Sequence, residues 1–182
     1  MKRLFAILFI LLLLCGCGTT GTETAQIKEH GENYFGDFEA AALDGSTVTQ
    51  DIFSEADLTV VNLWGTFCGP CIQEMPTLGK LHKELDNVQI LGIVLDCTDR
   101  NGDVDPYQVA AAKSIMSDAN ATYTCLVLNK ALMDLGMANY QYVPTTLFVD
   151  RNGDIVGSEV VGAMNEAKWQ NEIAARLEMI GA

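Results

Sequence analysis

From about residue 35 onward, short apolar runs alternate with stretches whose apolar residues return every three or four positions. "LTVVNLW" (58–64) is almost continuously apolar and β-branched, the pattern of a strand buried on both faces. Residues 71–85 then change period. Ile72, Met75, Leu78, Leu81, His82 and Leu85 fall on one side of a helix. "VQILGIVLD" (88–96) predicts a second buried strand. Asp105-Pro106 reads as an N-cap followed by a first-turn proline, opening a helix to about Ala119. "TYTCLVLN" is another strand candidate, and 129–135 a short helix stopped by Gly136. "TTLFVD" (145–150) is a strand, "RNG" a tight turn, and "DIVGSEVVG" its expected hairpin partner. Asn165 caps a last helix that lines up Trp169, Ile173, Leu177 and Ile180. Upstream, Asp44-Gly45 marks a hairpin turn between two short alternating segments. The order is βαβαβαββα after an N-terminal hairpin. It implies an α/β fold, with a central mixed β-sheet flanked by helices.

Composition adds boundaries. The chain has 182 residues, 49% of them hydrophobic, which suits one domain with a full core. A formal net charge of −13 argues against nucleic acid, whose phosphates reward Lys and Arg. The first residues stand apart. Met1-Lys2-Arg3 is a basic head, and 4–14 an unbroken apolar run. Eleven helical residues span about 16 Å, too short for a hydrocarbon core of about 30 Å. A basic head and a short apolar run describe an export signal. "LCGC" (14–17) resembles the lipobox of bacterial lipoproteins. The resemblance implies cleavage before Cys17 and a lipid on its sulfur, with Cys15 the weaker candidate after bulky Leu14. The expected organisation is a signal peptide over 1–16, a lipidated flexible tether over 17–34 and a folded domain over 35–182. Loss of Lys2 and Arg3 would take the net charge to −15.

Of the six cysteines, Cys68, Cys71, Cys97 and Cys125 remain in the domain, and the export signal places them where disulfides persist. Cys68 ends the link from a buried strand and sits where a helix begins. Unpaired amides and the helix dipole there favour a thiolate, the nucleophile of disulfide exchange. Cys71, one turn on, can resolve the mixed disulfide. A zinc site would need four ligands, and Cys97 and Cys125 form no second C-x-x-C. A purely structural staple would close a loop too small to contribute much.

"VVNLWGTFCGPCIQEMP" and "YVPTTLFVDRNGDIVG" resemble the two marked motifs of the thioredoxin-like proteins of the TlpA/ResA type, at the family's spacing. The resemblance runs from about Phe38 to Ile180. It implies a thioredoxin fold with an N-terminal β-hairpin and an inserted α–β element. Cys68 would be the exposed nucleophile, Cys71 the resolving thiol and Glu74 a proton acceptor for Cys71. Pro144 would be a cis-proline presenting the Val143 backbone to an extended substrate segment. Trp64 would pack beside the site, with Phe67, Gly69 and Pro70 on the substrate side. Asn62 stands where cytosolic thioredoxins carry a buried aspartate. Phe67 departs from the usual tryptophan, leaving an apolar surface without an indole N–H. Gly69-Pro70 matches the dipeptide of thioredoxin itself and favours a reducing role. Pro76 is expected to kink its helix. Cys97 and Cys125 lie outside the family pattern and could form a second disulfide if their strands are neighbours.

The implied protein is a thiol–disulfide oxidoreductase, lipid-anchored at the extracytoplasmic face of a membrane in the cell envelope. It would reduce disulfides of exported proteins, such as apocytochromes c or methionine sulfoxide reductases. Electrons would come from a membrane thiol carrier of the CcdA/DsbD type, and no metal or cofactor beyond the Cys68–Cys71 pair would be needed. A disulfide-donating oxidase would use the same residues in reverse. A peroxidase is disfavoured, because Thr66 lies two residues before Cys68 instead of three. A binding lipoprotein that only reuses the fold is the non-enzymatic alternative.

Overall fold

The computed structural model describes residues 34–182. The export signal, Cys15, the Cys17 lipidation site and residues 17–33 of the tether lie outside the described residues. Among those described, no helix is long and apolar enough to cross a membrane.

The five-stranded sheet has the order β5-β4-β3-β6-β7. Its centre is β3 (Leu58–Trp64), all seven residues of which are buried. β4 (Val88–Val94) lies parallel to it on one side, and β6 (Thr145–Asp150) antiparallel on the other. β5 (Cys125–Val127) extends the parallel half, and β7 (Val160–Val161) the antiparallel half. The sheet is therefore mixed, as the element order implies. A separate hairpin, β1 (Glu39–Ala41) and β2 (Thr47–Thr49), turns at Gly45, whose φ of +95° suits glycine.

Alternation along β3 divides the interior in two. Leu58, Val60 and Trp64 face one way, toward α1 (Gly69–Glu84), α2 (Pro106–Asp118) and α4 (Glu166–Ile180). Val61 and Leu63 face the other way, toward Phe35, Phe38 and Phe53 and the short α3 (Lys130–Asp134). Asn62 shares the first face, so a polar residue enters that core directly under α1. Helix α1 runs on through an exposed Pro76.

The expected hairpin after β6 is interrupted. Ile155 bridges Val149, but the chain leaves at Gly157 (φ +71°) and pairs again only at Val160–Val161. In the gap, Arg176 of α4 donates to the Ser158 carbonyl at 2.9 Å, so a helix side chain takes over from a strand. The pentapeptide Asp-Arg-Asn-Gly-Asp occurs twice, at 99–103 and 150–154, and folds the same way each time. In each copy the first aspartate Oδ1 accepts the amides two and four residues on, at 2.8–3.0 Å. The glycine adopts a positive φ, +93° and +85°.

Candidate active site

Cys68 is the N-cap of α1, with extended backbone, and its sulfur accepts the Cys71 amide at 3.2 Å. Pro70 opens the first turn, where no intrahelical donor is needed. Cys68 and Cys71 are joined by a disulfide with Cα atoms 5.3 Å apart. The two sulfurs differ less in exposure than the expectation of an exposed nucleophile suggests. Cys68 is 5% exposed and Cys71 fully buried. What faces solvent is the rim: Gly69 and Pro70 are exposed, as are Phe67 at 75% and Tyr142 at 68%.

The opposite wall comes from the segment before β6. The Val143–Pro144 peptide is cis, and the Val143 carbonyl oxygen lies 3.6 Å from Cys68 Sγ. Residues 75 positions apart in sequence thus meet at the disulfide. The loop carrying Cys68 is held from β4's end by residues that no local pattern marked. Asp96 accepts the Thr66 amide at 3.0 and 3.1 Å and the Thr66 hydroxyl at 2.5 Å. Gln108 of α2 lies 3.3 Å from the same hydroxyl.

Glu74, one turn beyond Cys71, is buried with 3% exposure. Its Oε1 accepts from Asn62 Nδ2 at 3.1 Å, and its Oε2 from the Met164 amide at 2.9 Å. The Trp169 indole N–H also favours the charge, although its geometry falls short of a formed hydrogen bond. Burial disfavours the carboxylate more than these donors favour it, and pushes Glu74 up to about 7. Cys71 and Glu74 share the buried face of α1. The arrangement can hold a proton one helical turn inside Cys71 near neutral pH.

The pair Cys97 and Cys125 departs from the expected second disulfide: both are free, buried thiols. The strand register explains the separation. Cys125 lies beside Gly92, while the chain near Cys97 meets Leu128, whose carbonyl accepts the Thr98 hydroxyl. Trp64 Nε1 instead donates to Cys125 Sγ at 3.3 Å. Gly92 makes this contact possible, since a Cβ there would stand 3.0 Å from that sulfur and 3.4 Å from the indole nitrogen. Trp64 is fully buried, and its polar atom points to Cys125. Burial drives both free thiols up to about 12. Among the described residues, no three His, Cys, Asp or Glu side chains gather as a metal site requires.

The family model described as AhpC/TSA family matches residues 32–158. The chain is 25% identical over 178 residues to the thiol-disulfide oxidoreductase ResA of Bacillus cereus, covering 93% of this chain and 94% of ResA. It is 28% identical over 134 residues to the thiol:disulfide interchange protein DsbE of Haemophilus influenzae, covering 69% of this chain and 62% of DsbE. A secreted disulfide oxidoreductase of Mycobacterium tuberculosis superposes with a TM-score of 0.63 at 21% identity, over 80% of this chain and 99% of that one. A pneumococcal exposed lipoprotein thioredoxin gives 0.60 at 20% identity, over 76% and 98%. The chain belongs to the AhpC/TSA family and has the thioredoxin fold.

Proposed function

We propose that this thiol–disulfide oxidoreductase of the ResA/DsbE type is a reductase of exported proteins, held by a lipid on Cys17 at the outer face of a membrane. The observation that supports it most is the meeting of three parts at one point. These are the Cys68–Cys71 disulfide at a helix N-terminus, the Val143–Pro144 segment against it, and the buried Glu74 carboxyl one turn inside.

The chemistry follows from that arrangement. In the reduced protein, the Cys68 thiolate attacks a substrate disulfide, and one substrate sulfur leaves as thiolate. Glu74 takes the proton of the Cys71 thiol. The Cys71 thiolate then attacks Cys68 Sγ, closes the Cys68–Cys71 disulfide and releases the second substrate thiolate. Two electrons pass to the substrate, and its thiolates take protons from water. The sulfurs are the whole redox group, and no added cofactor or metal takes part. In this reading the Val143 backbone, beside Cys68, receives an extended substrate segment, with Phe67, Gly69 and Pro70 forming the rim and Trp64 buried in the core beneath.

The basic head, short apolar run and lipobox support the location. One structural neighbour is described as an exposed lipoprotein and another as secreted. Replacement of Cys17 by serine should move the chain from the membrane fraction to the soluble fraction of a bacterial host. Fitting substrates are apocytochromes c or methionine sulfoxide reductases, with a CcdA/DsbD-type carrier as donor. The Gly69-Pro70 dipeptide supports the reducing direction. The deciding measurement is the potential of the Cys68–Cys71 couple, by equilibrating the purified chain with glutathione or dithiothreitol. A value near thioredoxin's, about −270 mV, is expected. One near DsbA's, about −120 mV, would make the protein a disulfide donor.

A further inference from the structure

Three groups that favour the Glu74 carboxylate are N–H donors: the Met164 amide, the Asn62 side-chain amide and, more weakly, the Trp169 indole. That set suits a carboxylate. It does not suit a carboxylic acid, which must itself donate. A backbone amide and an indole can never accept. Asn62 can, because turning its amide exchanges Nδ2 for Oδ1 in nearly the same volume.

Two further features leave that turn open. Asn62 is 1% exposed, yet its Oδ1 has no hydrogen-bond partner, so no third group pins the amide. Its Nδ2 also lies 3.3 Å from Thr146 Oγ1, on the residue paired with it across β3 and β6. A hydroxyl both donates and accepts, so Thr146 can follow the amide in either orientation. The other oxygen, Oε2, is engaged by the Met164 amide. The proton therefore belongs on Oε1, the oxygen that faces Asn62. The titratable group that acts on Glu74 from another element is Tyr123, in the segment leading into β5, and Cys71 lies one turn before Glu74 on the buried face of the same helix.

We propose that Asn62 is a positioning residue whose side-chain amide reverses as Glu74 gains or loses its proton. It would donate through Nδ2 to the carboxylate and accept through Oδ1 from the acid, with Thr146 as the hydroxyl that follows. This rests on Glu74 as the proton acceptor for Cys71. The device would let one buried site hold both states of the exchange step, Glu74 ionised before the transfer and protonated after it.

The test is NMR of the oxidised, isotope-labelled full chain between pH 5 and 9, following the Glu74 carboxyl carbon and the cross-peaks from the Asn62 Nδ2 hydrogens to Thr146. The cross-peaks should be present above the Glu74 midpoint and lost below it, with one shared midpoint. In Glu74→Gln, the glutamine oxygen takes the Met164 amide and its NH2 faces Asn62. The acid-form pattern should then persist at every pH. Asn62→Leu, with Cys71 intact, should slow resolution of the mixed disulfide at least tenfold at pH 7, and leave the first attack by Cys68 within twofold. Asn62→Ser keeps a donor–acceptor group and should restore part of the loss. Titration of Glu74 with unchanged Asn62 cross-peaks would overturn the reversal while leaving Glu74's own role intact. A wild-type pH profile of exchange in Glu74→Gln would remove Glu74 from the proton path, and this role of Asn62 with it.

Discussion

Two pairs of cysteines share one core, and they are opposites. Cys68 and Cys71 sit at a helix start, bonded to each other, beneath an exposed rim. Cys125 opens β5 and Cys97 lies in the bend after β4, both free and buried, with Cys125 in a strand instead of at a helix start. Residue type is the same in both. All four sulfurs are buried, so what differs is the donors and charges around each one and whether a second sulfur lies in bonding reach. Cys125 receives one indole N–H, while Cys97 has Asp96 and Asp105 adding to its burial. A cysteine is a redox group or a core residue according to where the fold puts it.

The harshest way to break this contrast is to remove the nucleophile. Cys68→Ser should abolish disulfide exchange, and Cys71→Ser should trap a mixed disulfide that mass spectrometry detects. Residual exchange in Cys68→Ser carried by Cys97 or Cys125 would erase the distinction. A quieter test is alkylation of the reduced native protein at pH 8. Thiols held near 12 are ionised at only about one part in 10⁴ there, so Cys97 and Cys125 should resist iodoacetamide until the chain unfolds.

Stability against pH sharpens the active pair's side. The folded Glu74 holds its proton up to about 7, well above its ordinary 4.5. Between those values the folded state binds more protons than the unfolded state, so stability falls as pH rises from about 4.5 through 7. The full drop is on the order of 3 kcal/mol. Urea unfolding at pH 5 and pH 8 should show it, and Glu74→Gln should flatten it. Next in size is Cys125→Ser. It places a hydroxyl where an apolar sulfur packs, at a cost of about 1–2 kcal/mol with little change in exchange rate. The smallest effect expected is Asp96→Asn. Its carboxylate accepts the amide and hydroxyl of Thr66, so the change should remove about 1 kcal/mol and raise mobility at Phe67, read by hydrogen exchange at the 66–68 amides.

Local patterns made much of this legible. The period change from β3 to α1 located the helix start, and with it the placement of Cys68. Asp105 and Asn165 do cap their helices, and the short helix expected over 129–135 runs from Lys130 to Asp134 with Asn129 as its N-cap. The repeated Asp-Arg-Asn-Gly-Asp turns show why such features can be read: the bonds from the first aspartate that shape each turn close within five residues. The hairpin partner of β6 is there, but its interruption at 157–159, where Arg176 from another element bonds the Ser158 carbonyl, was not legible locally. The same distance hid Asp96 and Met164, whose partners are 30 and 90 residues away.

The sequence by itself determined the elements, their order and the C-x-x-C at a strand–helix junction, because periodicity, capping and turn chemistry act within a few residues. Only the tertiary structure decided that Cys97 and Cys125 stay unpaired, how little of Cys68 faces solvent, and that Glu74 is buried among donors instead of lying on an outer helix face. Those outcomes depend on burial and on partners from distant strands. An asparagine in a strand does not reveal the carboxylate it will meet until β3, β6 and α1 have closed around both.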